Sequence, residues 1–149
     1  MAAAGSARAI DSAVPPTVAR TIDGQSGALT VWVYGCRSFS EADAPRTPAL
    51  AERLARMRTF DYLIGNVDRN LGNILADPGW DLVLLDHTRS FATARASAPT
   101  LPGQLDRRLV ERLRDLDEAA LIGRLGDLLG AEAVEAMLQR REVILASVD

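Results

Sequence analysis

The sequence predicts a small α+β domain, and three observations carry that prediction. Two segments of strand-forming residues open the chain around a turn. A long helix-periodic stretch follows, ending in a polar loop. Beyond the loop lie a short hairpin and then only helical patterns. At 149 residues the chain has room for one domain.

The first dozen residues are Ala-rich and read as the tail of a helix or a frayed terminus. Val14-Pro-Pro-Thr-Val18 is extended, because each Pro pushes its predecessor out of the α region. Asp23-Gly24 and Ser26-Gly27 are turn signals. Residues 28–34 (Ala-Leu-Thr-Val-Trp-Val-Tyr) are β-branched and aromatic, which predicts the second strand of an antiparallel pair with Leu29, Val31 and Val33 on one face. Residues 35–48 are polar, with two Pro, and read as a connector. A helix is expected from Pro48 to Ile64, where Leu50, Leu54, Met57, Asp61 and Ile64 recur at helical spacing, and it stops at Gly65.

Asn66-Val-Asp-Arg-Asn-Leu-Gly-Asn73 is polar and turn-forming between strongly apolar neighbours. Ile74-Leu75 and Leu82-Val-Leu-Leu85 are two short strands around Asp77-Pro-Gly79. A loop rich in Ala, Ser, Thr and Pro runs from Phe91 to about Gly103. Three helices are expected beyond it. The first is marked by Leu105, Leu109 and Leu113, and the second is capped by Asp117 and ends at Gly130. The third carries Val134, Met137, Leu138, Ile144 and Leu145 on one side.

Composition narrows the function classes. The net charge is −3 and no long basic run exists, so nucleic-acid binding has no electrostatic footprint. All 17 basic residues are Arg, a bias expected of a GC-rich genome, and a lysine-dependent mechanism is excluded within these residues. The single Cys36 reads as a small apolar residue or an exposed thiol. The start lacks a secretory signal pattern and no apolar run is long enough to span a bilayer, so a cytoplasmic location is expected.

The chemistry concentrates between the long helix and the hairpin. Asp68 and Asn73 lie five apart on one loop, and Asp86 ends the second strand of the hairpin that follows. Hard divalent cations take oxygen ligands, and Mg²⁺ typically binds one or two carboxylates together with phosphate oxygens and water. An Asn carbonyl and an Asp carboxylate, with a second Asp to accept a proton, suit phosphoryl transfer. The same residues could also be plain turn and cap formers.

Asp68-Arg-Asn-Leu-Gly-Asn73 has the Asp-x-x-x-x-Asn spacing of a kinase catalytic loop, with a second Asp following a hairpin. Phe60-Asp-Tyr-Leu-Ile-Gly-Asn-Val-Asp-Arg-Asn-Leu-Gly-Asn73 resembles the loop of type II phosphatidylinositol 4-kinases and four-jointed-type secretory kinases. It is more loosely similar to HipA-type kinases. Leu84-Leu-Asp-His-Thr-Arg-Ser-Phe91 is similar to their metal loop. The resemblance covers roughly residues 15–91 and implies a kinase-like large lobe of the atypical kinase superfamily with two remnant small-lobe strands. Residues 1–35 would hold those strands and the hinge, and 36–149 the large lobe, in a single structural domain. It further implies ATP with Mg²⁺ or Mn²⁺, Asp68 as catalytic acid/base, Asn73 and Asp86 as metal ligands, and Asn66 and Arg69 as braces of the loop. The acceptor stays undefined.

The chain departs from that pattern at its beginning. A Gly-rich phosphate loop and a strand lysine should precede the strands, and the 13 residues before Val14 hold neither. The resemblance therefore implies an N-terminally truncated, incomplete site, completed by a missing segment or left with exposed strands that self-associate. Three readings follow: an incomplete phosphotransferase lobe, a degenerate kinase-like binding module, or an unrelated α+β interaction domain.

Other residues have plainer readings beside the functional one. Trp32 and Tyr34 line an adenine pocket or pack within their strand. His87 packs or hydrogen-bonds locally rather than acting as base or ligand. Asp61, on the apolar stripe just before the loop, hydrogen-bonds the loop backbone or takes part in the site. Arg107, Arg108, Arg112 and Arg114 alternate with acids as a solvated helix face.

Overall fold

A computed structural model of the chain describes residues 13–91, 93 and 99–148. The expectations for residues 1–12 and for most of the loop just after Phe91 lie outside the described residues. The architecture is mixed α and β, with four helices and two small sheets among the described residues. Two compact units make up the chain. One runs up to Pro45 and takes in Asn70–Leu85; the other comprises Arg46–Arg69 and the residues from Asp86 onward.

The first unit begins with a hairpin of β1 (Thr17–Ile22) and β2 (Gln25–Thr30), paired from Thr17↔Thr30 to Ile22↔Gln25. Asp23 and Gly24 join them with φ of 51° and 79°, the positive values a two-residue type I′ connection requires. Ser26-Gly27, expected as a second turn, lies inside β2. The strand expected over 28–34 stops at Thr30, so Val31, Trp32 and Tyr34 fall beyond it and are exposed. Alternation puts Thr17, Ala19 and Thr21 on one face of the ribbon and Val18, Arg20 and Ile22 on the other. Thr17 meets Thr30 hydroxyl to hydroxyl at 3.0 Å, and every residue of both strands is exposed.

The second sheet has the order β3 (Arg37–Ser38), β4 (Ile74–Ala76), β5 (Leu82–Leu84), all antiparallel. The polar connector therefore supplies a strand, too short for any two-residue period to mark it. Ile74, Ala76, Leu82, Val83 and Leu84 form the buried centre of this sheet. Its turn is tied by Asp77, whose Oδ1 accepts the Asp81 N–H at 2.8 Å. Trp80, at φ 63°, lies under the Arg37 guanidinium at 4.6 Å and meets the Phe39 ring edge-on.

The second unit is built on α1 (Pro48–Ile64), α2 (Arg107–Arg114), α3 (Glu118–Leu129) and α4 (Ala131–Ala146). Three of the four have side-chain N-caps: Thr47, Asp106 and Asp117 accept from backbone N–H groups of the first turn. Helix α4 packs against α1, α2 and α3. Tyr62, Val110, Leu113 and Ile144 meet at the centre of this core. Thr59, fully buried, donates to the Ala55 carbonyl and accepts the Asp106 N–H at 3.0 Å, which fixes the start of α2 to the middle of α1.

Candidate functional site

The last four carbonyls of a helix have no partner within it. In α1 each of them finds one. Gly65, at φ 68°, closes the helix as a Schellman motif: the Asn66 N–H donates to the Asp61 carbonyl at 2.8 Å and the Gly65 N–H to Tyr62 at 3.1 Å. Leu63 accepts from Arg140 Nε at 2.9 Å, and Ile64 accepts from the Phe91 N–H at 2.6 Å. A helix closed this completely releases residues 66–69 in one direction. A Cβ on Gly65 would stand 2.9 Å from Arg140 Cζ, on a backbone conformation that L side chains disfavour. Gly65→Ala is therefore expected to lose about 1–3 kcal/mol of stability. The measurement is the urea midpoint at constant slope, and an unmoved midpoint would contradict the account.

Asp61 organises the loop that emerges. Its side chain and that of Arg69 are each only 8% exposed. Arg69 grips it as a fork, with Nε on Oδ2 at 2.9 Å and Nη2 on Oδ1 at 2.8 Å. Asn66 Nδ2 also donates to Asp61 Oδ1, at 3.0 Å. The Asn66 side-chain oxygen in turn accepts the backbone N–H of Asp68 at 3.1 Å. Asp61 thus holds the loop through the Asn66 and Arg69 side chains, while its own carbonyl receives the Asn66 N–H. Asp68 itself is exposed.

The segment after β5 is stitched to this loop at two points and to the end of α1 at a third. Phe91 donates its N–H to Ile64, Val67 donates its N–H to Arg89 at 3.4 Å, and Arg69 Nη2 donates to His87 Nε2 at 3.0 Å. A guanidinium only donates, so His87 Nε2 is the acceptor and the ring is neutral with its proton on Nδ1. Burial, and then the Arg69 charge, lower the His87 pKa below the ordinary imidazole value, against the pull of the Asp61 and Asp86 carboxylates. Phe60 covers the ring edge-on at 5.9 Å between centroids.

Asp86 stands on that segment in a left-handed conformation, φ 47°, which is uncommon for a non-glycine residue. Its Oδ1 accepts both the Thr88 N–H, at 3.1 Å, and the Thr88 hydroxyl, at 2.6 Å; Oδ2 takes part in neither bond. These bonds, with the nearby His87 and Arg69, hold the Asp86 carboxyl below the usual carboxylate range although it is exposed. It is an ionised oxygen donor at neutral pH. A group of that kind fits Mg²⁺, which is satisfied by one or two carboxylates when phosphates supply further oxygens. Among the described residues no three His, Cys, Asp or Glu side chains converge, so any metal there would depend on such mixed oxygen ligands.

In the other unit, Asn70 caps a single 3-10 turn, Leu71–Asn73, through its side chain, which accepts the Gly72 N–H at 2.9 Å. Asn73 closes the turn with its N–H on the Asn70 carbonyl. It receives the Leu85 N–H on its own carbonyl at 2.9 Å, so its backbone is fixed on both sides. Trp32 and Tyr34 are 76% and 81% exposed and lie beyond the end of β2, so they do not pack within that strand. Burial, then the Asp77 charge, raise the Cys36 thiol pKa, the opposite of an activated thiolate.

Two buried residues escaped the sequence reading. Arg140 and Arg141, each 8% exposed, sit on the inner stripe of α4 with Val134, Met137 and Ile144. The 137, 140, 141, 144 spacing is a helical core pattern with two arginines in it, and that was the available signal. No protein-family model matches the chain, and no curated protein or solved structure is similar to it.

Proposed function

We propose that the chain carries the catalytic and metal loops of a kinase-like phosphotransferase, which passes a phosphoryl group from ATP to a hydroxyl acceptor. Asp68 takes the proton of the attacking hydroxyl. Asn73 and Asp86 supply side-chain oxygens to Mg²⁺ or Mn²⁺. Asn66 and Arg69 keep the Asp68 loop in shape. The metal, when bound, neutralises charge on the transferring phosphate.

The observation that carries this reading is the pairing of two well-braced loops in one unit. A buried Asp61–Arg69 fork supports the first, and the second presents Asp86 in a strained, ionised state. Unusual backbone conformations of this kind gather at functional sites. A plain turn needs neither a buried ion pair behind it nor the stitching to a second loop.

The test is thermal unfolding with Mn²⁺ and ATP together and each alone. At one hundred times the dissociation constant, binding adds about 2.7 kcal/mol, a rise in Tm of about 5–10 °C for a chain of this size. The shift is expected to need both ligands and to disappear in Asp86→Asn and Asn73→Ala. An equal shift in those variants, or none in the native chain, would remove the reading.

A second reading, a kinase-like module that binds without catalysing, is favoured by the absence of lysine and by the apolar face of the β1–β2 ribbon, where Val18, Ile22 and Leu29 stand exposed. It shares the metal-dependent shift and differs in turnover. An interaction domain unrelated to kinases would show neither.

A further inference from the structure

Resting on the reading of the Asp68 loop as catalytic, we propose that Arg140 of α4 is a positioning residue for that loop. It acts through the end of α1.

Arg140 makes two contacts with the helix end. Its Nε donates to the Leu63 carbonyl at 2.9 Å. Its guanidinium plane lies against Gly65, where the space a Cβ would take is bounded by Cζ, Nη2 and Nη1 at 2.9, 3.0 and 3.2 Å. The first contact satisfies a carbonyl that the Schellman motif leaves open. The second sets how far the Gly65 backbone can move, because a flat group in van der Waals contact blocks displacement toward α4. Asn66 is the next residue, and the Asn66 side chain holds the Asp68 N–H. Three links therefore run from α4 to the Asp68 backbone: Arg140 to Gly65, Gly65 to Asn66, and Asn66 to the Asp68 N–H.

The choice of arginine follows from the geometry. One donor must reach a carbonyl while a planar face lies flat on a glycine, and an ammonium offers the donor without the plane. Burial lowers the Arg140 pKa, with Tyr62 pulling the other way, yet a guanidinium stays charged at neutral pH. Its cation then faces the negative end of the α1 dipole, a favourable placement. A residue that only filled the core would gain nothing from carrying a charge to this point.

Hydrogen exchange on the full chain, without metal or nucleotide, tests the proposal in Arg140→Lys and Arg140→Met. The amides of Gly65, Asn66 and Asp68 are expected to exchange about tenfold faster in Arg140→Met, and by a smaller factor in Arg140→Lys. Those of Ala51 in the first turn of α1 and Val110 in α2 should stay within about twofold. Loop amides that keep their native rates would overturn the proposal, and so would a rise equal to that at Ala51 and Val110, the mark of a merely structural residue. Should Arg140→Met fail to fold, Arg140→Lys decides by the same comparison, since it keeps the stem and the charge. Because no ligand is present, this outcome is independent of the metal-dependent thermal shift, which tests the phosphotransferase reading alone.

Discussion

Asp61→Ala is expected to destabilise the helical unit by about 3–5 kcal/mol, the usual effect of removing one member of a buried ion pair. The loss comes less from the attraction given up than from what remains. Arg69 would stay in a site where its side chain is 8% exposed, without the carboxylate that its fork grips, and the Asn66 side-chain amide would lose its acceptor. The double variant Asp61→Ala with Arg69→Leu should recover much of the loss, because a buried pair exchanged for apolar groups is often close to neutral. Urea unfolding of the two single variants and the double variant reads the coupling directly. A single-variant loss under about 1 kcal/mol, near the level of surface pairs, would mean that the fork does not hold the loop.

The 149-residue chain is expected to show no ATP turnover above background with Mg²⁺ or Mn²⁺, even though its Asp68 loop is formed. Phosphoryl transfer depends on positioning and on cationic stabilisation of the phosphates. These 149 residues include no lysine, and the 13 of them before Val14 hold no Gly-rich run. Removing one electrostatic stabiliser of this sort costs on the order of 10²–10³ in rate, about 3–4 kcal/mol, and loss of phosphate orientation adds to it. Arg69 does not fill the vacancy, because its guanidinium is committed to Asp61 and His87. Arg20, on the exposed ribbon, donates to the carbonyl of its own neighbour Ala19. Released phosphate and autophosphorylation, compared between the native chain and Asp68→Ala, decide the matter. Robust turnover that vanishes in Asp68→Ala would establish a complete enzyme.

Local chemistry made much of the fold legible. Asp23-Gly24 specifies its own turn, Thr47-Pro48 starts α1, and Gly65 ends it, because each of these depends on a few adjacent residues. What long-range contacts decide was not legible. β3 is two residues long and exists through its pairing with β4. The strand through Val31, Trp32 and Tyr34 did not continue, since β-propensity expresses packing against neighbours and, among the described residues, Val31, Trp32 and Tyr34 are exposed. Around the candidate site, the loop spacing picked out Asp68, Asn73 and Asp86. Asp61 stood out on an apolar stripe, but its partners could not be named until Arg69 was seen folding back eight residues to meet it. Arg140 and Arg141 carried the same kind of signal, charge on a core stripe, and their targets lie far away in sequence.

Those two arginines also set an order of assembly. Neighbours in α4, they donate Nε to carbonyls in the last turns of different helices: Arg140 to Leu63, 77 residues back, and Arg141 to Leu113, 28 residues back. On a ribosome adding about 5–20 residues per second, roughly 4–15 s separate the synthesis of Leu63 from that of Arg140. Throughout that interval the Asp61–Arg69 fork and the Schellman turn can already form, since both are local. The Leu63 carbonyl has no such local partner and must be hydrated. A nascent chain stalled before α4 would thus expose a helix end that is buried in the finished protein, with the Asp68 loop shaped but not yet anchored.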